Sequence, residues 1–288
     1  MKILVTGAKG QLGSELKELA TYYPEYEFIF TDYEELDITD ISSVSEFYFS
    51  LHPVVVINCA AYTAVDKAEQ EPELALKLNS LAVKNLSDAS VKFNSLLVHI
   101  STDYIFNGKG HRPYVETDTP EPVSVYAKSK YDGEKQMLSA CQKGVIIRTS
   151  WLYSSFGNNF VKTILKYSKE RRSLDVVCDQ IGSPTYAGDL ALTILKIIPG
   201  IIDHHGIEIF HYSNEGVASW FDFAKTITEF AGINCKINPI ETKDYPLPAS
   251  RPFYSVLNKS KIKERFGLEI PYWKDSLEEC LKKLIDKP

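Results

Sequence analysis

Basic charge is in short supply in this 288-residue chain: 32 lysines and arginines stand against 38 acids, a formal net charge of −6. No basic stripe can form on such a surface, which argues against a nucleic-acid partner. A small phosphate is still allowed, because glycine-rich backbone binds anions without net positive charge. Cysteine is scarce as well. The five thiols (Cys59, Cys141, Cys178, Cys235 and Cys280) are scattered, odd in number and never spaced C-x-x-C. That pattern argues against a disulfide framework or zinc site and reads as reduced, mostly buried thiols. No apolar run approaches the roughly 20 residues that span a membrane. Ile3-Leu4-Val5 runs into a glycine turn too soon for a signal peptide. His204-His205 has no spaced third ligand and reads as a surface turn, so no metal is assigned. These absences describe a soluble, cytoplasmic protein with neither membrane nor nucleic acid as partner.

What is present is ordinary globular material: 44% hydrophobic and 24% charged residues, enough for one large or two modest domains. The strand Lys2-Ile3-Leu4-Val5-Thr6 leads into Gly7, Gly10 and Gly13, and Ser14 to Tyr22 reads as a helix. Strand, glycine turn and helix open a dinucleotide-binding βαβ unit, in which backbone approaches a pyrophosphate at a helix amino end. Gly7, Gly10, Gln11 and Leu12 are the residues expected to face it. A second strand, Glu27 to Thr31, ends at Asp32. An acid about 20 residues past the glycines commonly holds the adenosine ribose, which favours NAD over NADP; an ordinary turn aspartate is the equal alternative. Asp37 and Ile38 then fall near the adenine.

Val54-Val55-Val56-Ile57 is an unbroken β-branched run, as in a parallel strand buried on both faces. The small residues after it, with Ala60, Ala61 and Tyr62, mark where a cofactor crosses the sheet. A helix spans about Pro72 to Phe93; Asn79 within it is read as a surface residue unless context argues otherwise. The fourth strand, Leu96 to Ile100, delivers Ser101-Thr102-Asp103-Tyr104. Next comes a helical stretch, Val123 to Leu138, holding Tyr126-Ala127-Lys128-Ser129-Lys130. Residues i and i+4 share a helix face, so Tyr126 and Lys130 stand together while Lys128 points elsewhere. A nearby ammonium favours the phenolate, and such a pair can move a proton near neutral pH. An isolated Y-x-x-x-K is more often a solvated helix face; hydroxyls at a strand end and amino-terminal glycines make that reading much weaker here. A fifth strand, Val145 to Arg148, is followed by Trp151-Leu152-Tyr153, whose aromatics suit a stacking wall, with core packing the default for any one of them.

These segments together resemble the extended short-chain dehydrogenase/reductase superfamily, and within it the family that reduces dTDP-4-dehydro-L-rhamnose. Further matches are Thr63-Ala64-Val65-Asp66-Lys67-Ala68-Glu69, Ser101-Thr102-Asp103-Tyr104-Ile105-Phe106, Arg148-Thr149-Ser150-Trp151, Gly157-Asn158-Asn159-Phe160, Asp179 to Thr185, and Ala249-Ser250-Arg251-Pro252. They run from end to end of the chain. The resemblance implies an α/β, Rossmann-like doubly wound parallel sheet with a smaller C-terminal substrate-binding lobe. Residues 1–150 would hold the dinucleotide; 151–288 would mainly bind substrate, with some elements returning to the sheet. It implies reduction of a C4 ketone on a nucleotide sugar destined for surface polysaccharide, with NADPH as cofactor and NADH left open. In that scheme Tyr126 is the general acid and also contacts the cofactor, Lys130 lowers its pKa and holds the nicotinamide ribose, and Thr102 bonds the carbonyl oxygen. Thr102, Asp103, Tyr104, Tyr126, Trp151 and Arg251 would contact substrate, Arg251 reaching the diphosphate or forming an interdomain salt bridge.

Some relatives pair as homodimers through a glutamate-held magnesium ion. Glu15 matches one such position, but Tyr186-Ala187-Gly188-Asp189 has glycine where another glutamate is expected, so Mg2+ and the dimer stay open. Dehydratases and epimerases share the fold, yet dehydratases usually carry a glutamate where Tyr104 stands. A non-catalytic relative, like the regulatory subunit of methionine adenosyltransferase, is a third reading.

Overall fold

The alternation of short β-branched runs with helices resolves, in a computed structural model, into a six-stranded parallel sheet with helices on both faces; residues 1–285 are described. Five strands come in the anticipated places: β1 (Lys2–Thr6), β2 (Glu27–Thr31), β3 (Val55–Asn58), β4 (Leu96–Thr102) and β5 (Lys143–Thr149). The sixth, Gly206–Tyr212, pairs in parallel with β5 from Gly206↔Lys143 to Tyr212↔Thr149. Across the sheet the order is Gly206–Tyr212, β5, β4, β3, β1, β2. The chain leaves β1 in one direction for β2 and returns on the other side for β3. That reversal opens a crevice at the carboxyl ends of β1 and β3, where open α/β sheets bind ligands.

Period-2 packing sorts the strand residues. Ile3, Val5, Ile57, Val98 and Ile147 face one helical layer, including Gln11–Leu19 and Ala187–Ile201. Leu4, Val56, Leu97 and Ile146 face the other, with Ile41–Leu51, Ala82–Phe93 and Val125–Ala140. A separate core around Tyr153, Phe223 and Trp273 joins the helices Phe160–Glu170, Trp220–Phe230 and Trp273–Ile285. The strand Lys236–Ile240 pairs there with Ser173–Val177.

Two helices depart from expectation. The first begins at Gln11, directly after Gly10, and tightens into a 3₁₀ turn over Ala20–Tyr22. Its amino end has no side-chain cap, so its first N–H groups are left for a ligand. The expected helix from Pro72 to Phe93 widens into a π turn over Lys77–Leu81, the kind of local bulge that tends to mark functional sites. Among the described residues no helix is long and apolar enough to cross a membrane.

Candidate active site

A cleft of about 620 Å³ lies along the carboxyl ends of the strands. One end is the glycine turn. Gly7 has φ +68°, and a Cβ there would stand 2.6 Å from the Ala60 nitrogen; a Cβ on Gly13 would meet the Gly7 carbonyl at 2.4 Å. The turn therefore approaches β3 and folds onto its own helix as only glycine allows. Gly10, Gln11 and Leu12 line the cleft. Leu12 turns its side chain into the core, so it can offer a ligand only backbone. Gln11 reaches across to the second half of the chain, accepting from Asn159 Nδ2 at 3.0 Å. A glycine cradle too tight for a Cβ, opening on an uncapped helix end, fits a dinucleotide pyrophosphate.

The remaining residues singled out for the cofactor are spread around that turn. Asp32 accepts the Lys9 amide at 2.9 Å, beside the glycines, while Lys9 itself pairs with Glu34. Asp37 bonds the Thr39 amide and hydroxyl at 2.9 and 2.7 Å, and Ile38 is buried in the core. Ala61 lines the cleft. The Ala60 amide donates to Asn58 Oδ1 at 3.1 Å, an oxygen that also accepts from Thr6 Oγ1 at 2.8 Å.

Asn79 corrects the surface assignment. It is buried, and its side chain accepts from the Tyr62 amide at 2.8 Å and donates to the Tyr62 carbonyl and Ser129 Oγ, both at 3.0 Å. The π turn that points it inward leaves no periodicity in the sequence, so nothing local announced it. Gly133 completes the fit: a Cβ there would meet the Asn79 carbonyl at 2.1 Å.

Thr102, Asp103, Tyr104, Tyr126 and Lys130 all line the middle of the cleft. Ser124 caps the helix Val125–Ala140, accepting from the Ala127 amide at 3.2 Å, and so sets Tyr126 in its first turn and Lys130 one turn on. Lys128 is exposed. The Lys130 ammonium donates to the Ile100 carbonyl at 2.6 Å. The net shift of Tyr126 is upward, opposite to the direction that an ammonium at i+4 would give. Burial pushes the phenol up to about 12, only partly offset by the neighbouring Thr102 hydroxyl, and burial pulls Lys130 down to about 8. Loss of solvation is the largest cause at both groups, and it disfavours the charged form of each. Tyr126 is therefore fully protonated at neutral pH, the form a proton donor needs.

Asp103 is buried, and its carboxyl is pushed up to about 7 by lost solvation, against the hydrogen bond that the Thr102 hydroxyl donates at 3.2 Å. A carboxyl with a raised folded pKa binds more protons folded than unfolded, so stability falls as pH climbs from the ordinary carboxylate range through about 7. Asp103→Asn has no such slope. Its stability relative to wild type should rise between about pH 4 and about pH 8 in urea titrations. A difference that does not vary with pH would mean that Asp103 titrates normally.

Past the Tyr126–Lys130 wall stands an aromatic wall. Trp151 lines the cleft and stacks on Trp220, with ring centroids 3.6 Å apart and planes within 8°. Trp151 holds φ +46°, a left-handed conformation that costs a bulky residue on the order of 1–3 kcal/mol. A Cβ on Gly182 would stand 2.6 Å from the indole, so glycine makes room for it. Trp220, with no motif to mark it, lies far along the chain and meets Trp151 only through the fold. Arg251 sits outside the main cleft, in a small adjoining pocket with Tyr104. It forms a two-point ion pair with Asp66, at 2.7 and 3.1 Å. Of the two alternatives for Arg251, the salt bridge is present. Glu15 is buried; it accepts from Ser154 Oγ at 2.6 Å and lies 3.5 Å from the Lys283 ammonium. Among the described residues no three His, Cys, Asp or Glu side chains gather as metal ligands.

Against known proteins, residues 1–285 match the family described as RmlD substrate binding domain. A dTDP-4-dehydrorhamnose reductase of Aggregatibacter actinomycetemcomitans is 42% identical over 285 residues, covering 96% of this chain and 97% of that protein. The spore coat polysaccharide biosynthesis protein SpsK of Bacillus subtilis is 40% identical, with 98% and 97% covered. The crystal structure of a dTDP-4-dehydrorhamnose reductase from Bacillus anthracis in complex with NADP superposes with a TM-score of 0.94 at 40% identity, covering 98% of this chain and 99% of that one. With motifs, cleft and near-complete alignment in agreement, the chain belongs to the RmlD family of dTDP-4-dehydrorhamnose reductases.

Proposed function

We propose that this protein reduces the C4 ketone of dTDP-4-dehydro-L-rhamnose to dTDP-L-rhamnose with NADPH. The observation that carries the reading is the meeting of Thr102, Tyr126 and Lys130 on one wall of a cleft that continues to the glycine turn. The nicotinamide, when bound, supplies a hydride to C4. The chain's own residues do the rest. Gly7, Gly10 and the amino end of the Gln11–Leu19 helix hold the pyrophosphate, and Lys130 holds the nicotinamide ribose. Tyr126 donates its phenolic proton to the oxygen on which charge develops, and the Thr102 hydroxyl, fixed by the Tyr104 amide at 3.2 Å, bonds that same oxygen. Trp151 and Tyr104 flank the deoxysugar, whose stacking faces displace water from the cleft.

The division of labour follows: residues 1–150 carry the cofactor and those after them mainly the sugar nucleotide, although Gly206–Tyr212 belongs to the sheet and 286–288 lie outside the described residues. NADPH ranks ahead of NADH because a close relative is known with NADP, although Asp32 and Glu34 beside Lys9 make that corner acidic. A magnesium-bridged dimer through Glu15 is left out of the reading, since Lys283 supplies that carboxylate with a cation from the same chain. The reaction belongs in the cytoplasm, where nucleotide sugars are made.

Purified protein given dTDP-4-dehydro-L-rhamnose should oxidise NADPH only when the sugar is present, one cofactor per ketone. Sugar conversion without cofactor loss would replace reduction by isomerisation or elimination. Tight NADPH binding with no turnover would favour a binding subunit.

A further inference from the structure

Tyr126 and Lys130 are two members of a longer row. Glu134 follows at the same i+4 spacing, on the face that the helix Val125–Ala140 turns to the sheet, and both carboxylate oxygens are fully enclosed. Arg148, on β5, grips it with two bonds: Nη2 to Oε2 at 2.8 Å and Nε to Oε1 at 3.0 Å. The guanidinium is in turn fixed by the Glu116 carbonyl at 3.3 Å and by packing over the Phe106 ring. Two buried charges so elaborately held ask for a purpose, because a buried ion pair often stabilises a fold no better than apolar residues of the same size.

The surroundings of Lys130 supply one. Its ammonium is buried and, among the described residues, donates to one neutral acceptor, the Ile100 carbonyl. From β3 it is faced by Cys59, whose thiol burial holds protonated. From β4 it is faced by His99, which burial keeps neutral and whose Nδ1 is engaged with Asn58 Nδ2 at 3.1 Å. On its own helix Tyr126 precedes it as a neutral phenol, and Asp103 stands beyond, against Tyr126. Glu134 is left as the negative charge acting on the ammonium, with Arg148 behind it on β5.

Resting on the reductase reading, we propose that Glu134, clamped by Arg148, is the positioning counter-charge that holds Lys130 as an ammonium against β4. Glu134 touches neither substrate nor cofactor; it acts through Lys130. Arg148 fixes the carboxylate in one rotamer, so that it stays one helical turn from the ammonium without moving in to form a direct salt bridge that would pull the ammonium off the ribose site.

The test reads Lys130 directly. In protein carrying isotope-labelled lysine, with the Lys130 Cε resonance assigned through Lys130→Met, its titration midpoint should fall in Glu134→Gln by roughly 1–3 units relative to wild type. Because that substitution strands the Arg148 guanidinium and can unfold the chain, Glu134→Gln/Arg148→Met is measured as well. The midpoint should stay low there too. A wild-type midpoint in either variant overturns the proposal, and in the double variant it would show that Glu134 serves only to satisfy Arg148. The midpoints are read without substrate, so a wild-type enzyme silent toward the keto sugar would sink the reductase reading while the resonance still decides this one.

Discussion

Tyr126→Phe should lower kcat by about 10²–10⁴-fold, the contribution of a positioned general acid, which corresponds to about 3–5 kcal/mol of barrier. The phenol stays protonated through neutral pH and lines the middle of the cleft with Thr102. Phenylalanine keeps the ring and its edge-on packing against Tyr104, whose centroid is 5.8 Å away, and removes only the proton. NADPH affinity should then change by less than a few-fold, because the glycine turn and Lys130 are untouched. Stopped-flow reduction of the keto sugar, with cofactor binding followed by fluorescence, separates the two quantities. Wild-type turnover in the variant would take Tyr126 out of the chemistry. A large loss of cofactor affinity would instead make it a binding residue. The pH dependence has a definite sign. A phenol near 12 stays protonated through neutral pH, so a fall in rate on the alkaline side follows loss of the Lys130 ammonium near 8 or of the Asp103 proton near 7, and Asp103→Asn separates the two.

Why was Tyr126 readable from residue order, and Glu134 or Trp220 not? The strands declare themselves by β-branched runs, and the glycine turn by its place between a strand and a helix. Tyr126 and Lys130 declare themselves by a spacing that a helix converts into a shared face. Each of those signals is local. Asn79 depends on a π turn that shifts the register of one helix, which neither composition nor period reveals. Trp220 meets Trp151 across 69 positions of chain, and Arg148 meets Glu134 from another layer of the fold. Arg251 was legible as a charged residue in a recognisable segment, but its partner, Asp66, lies 185 positions away. The direction of the Tyr126 shift failed for a related reason. Helical spacing shows which groups are neighbours, whereas burial is set by everything packed around them, and burial is the larger effect here.

The second large effect is expected at Gly7, where the fold and the cofactor seat meet. Gly7→Ala places a Cβ 2.6 Å from the Ala60 nitrogen and 2.7 Å from its Cα. Both are backbone atoms of the segment after β3, and they cannot rotate away as a side chain could. The residue also holds φ +68°, where alanine pays about 1–2 kcal/mol that glycine does not. Overpacking adds about 1–3 kcal/mol. Relief requires the turn to draw back from β3, and that movement carries the amino end of the Gln11–Leu19 helix away from the pyrophosphate. Gly7→Ala should therefore lose about 2–5 kcal/mol of stability together with most of its NADPH affinity, while Tyr126 and Thr102 keep their places. Saturating NADPH should raise the melting temperature of wild type and leave that of the variant nearly unchanged. The control is Gly232→Ala: Gly232 has φ +64°, yet a Cβ there meets nothing within 4 Å. It carries the backbone strain without the collision. If the control weakened NADPH binding as much as Gly7→Ala, the loss would reflect general instability. If only Gly7→Ala did, the close approach of the turn to β3 is what seats the cofactor.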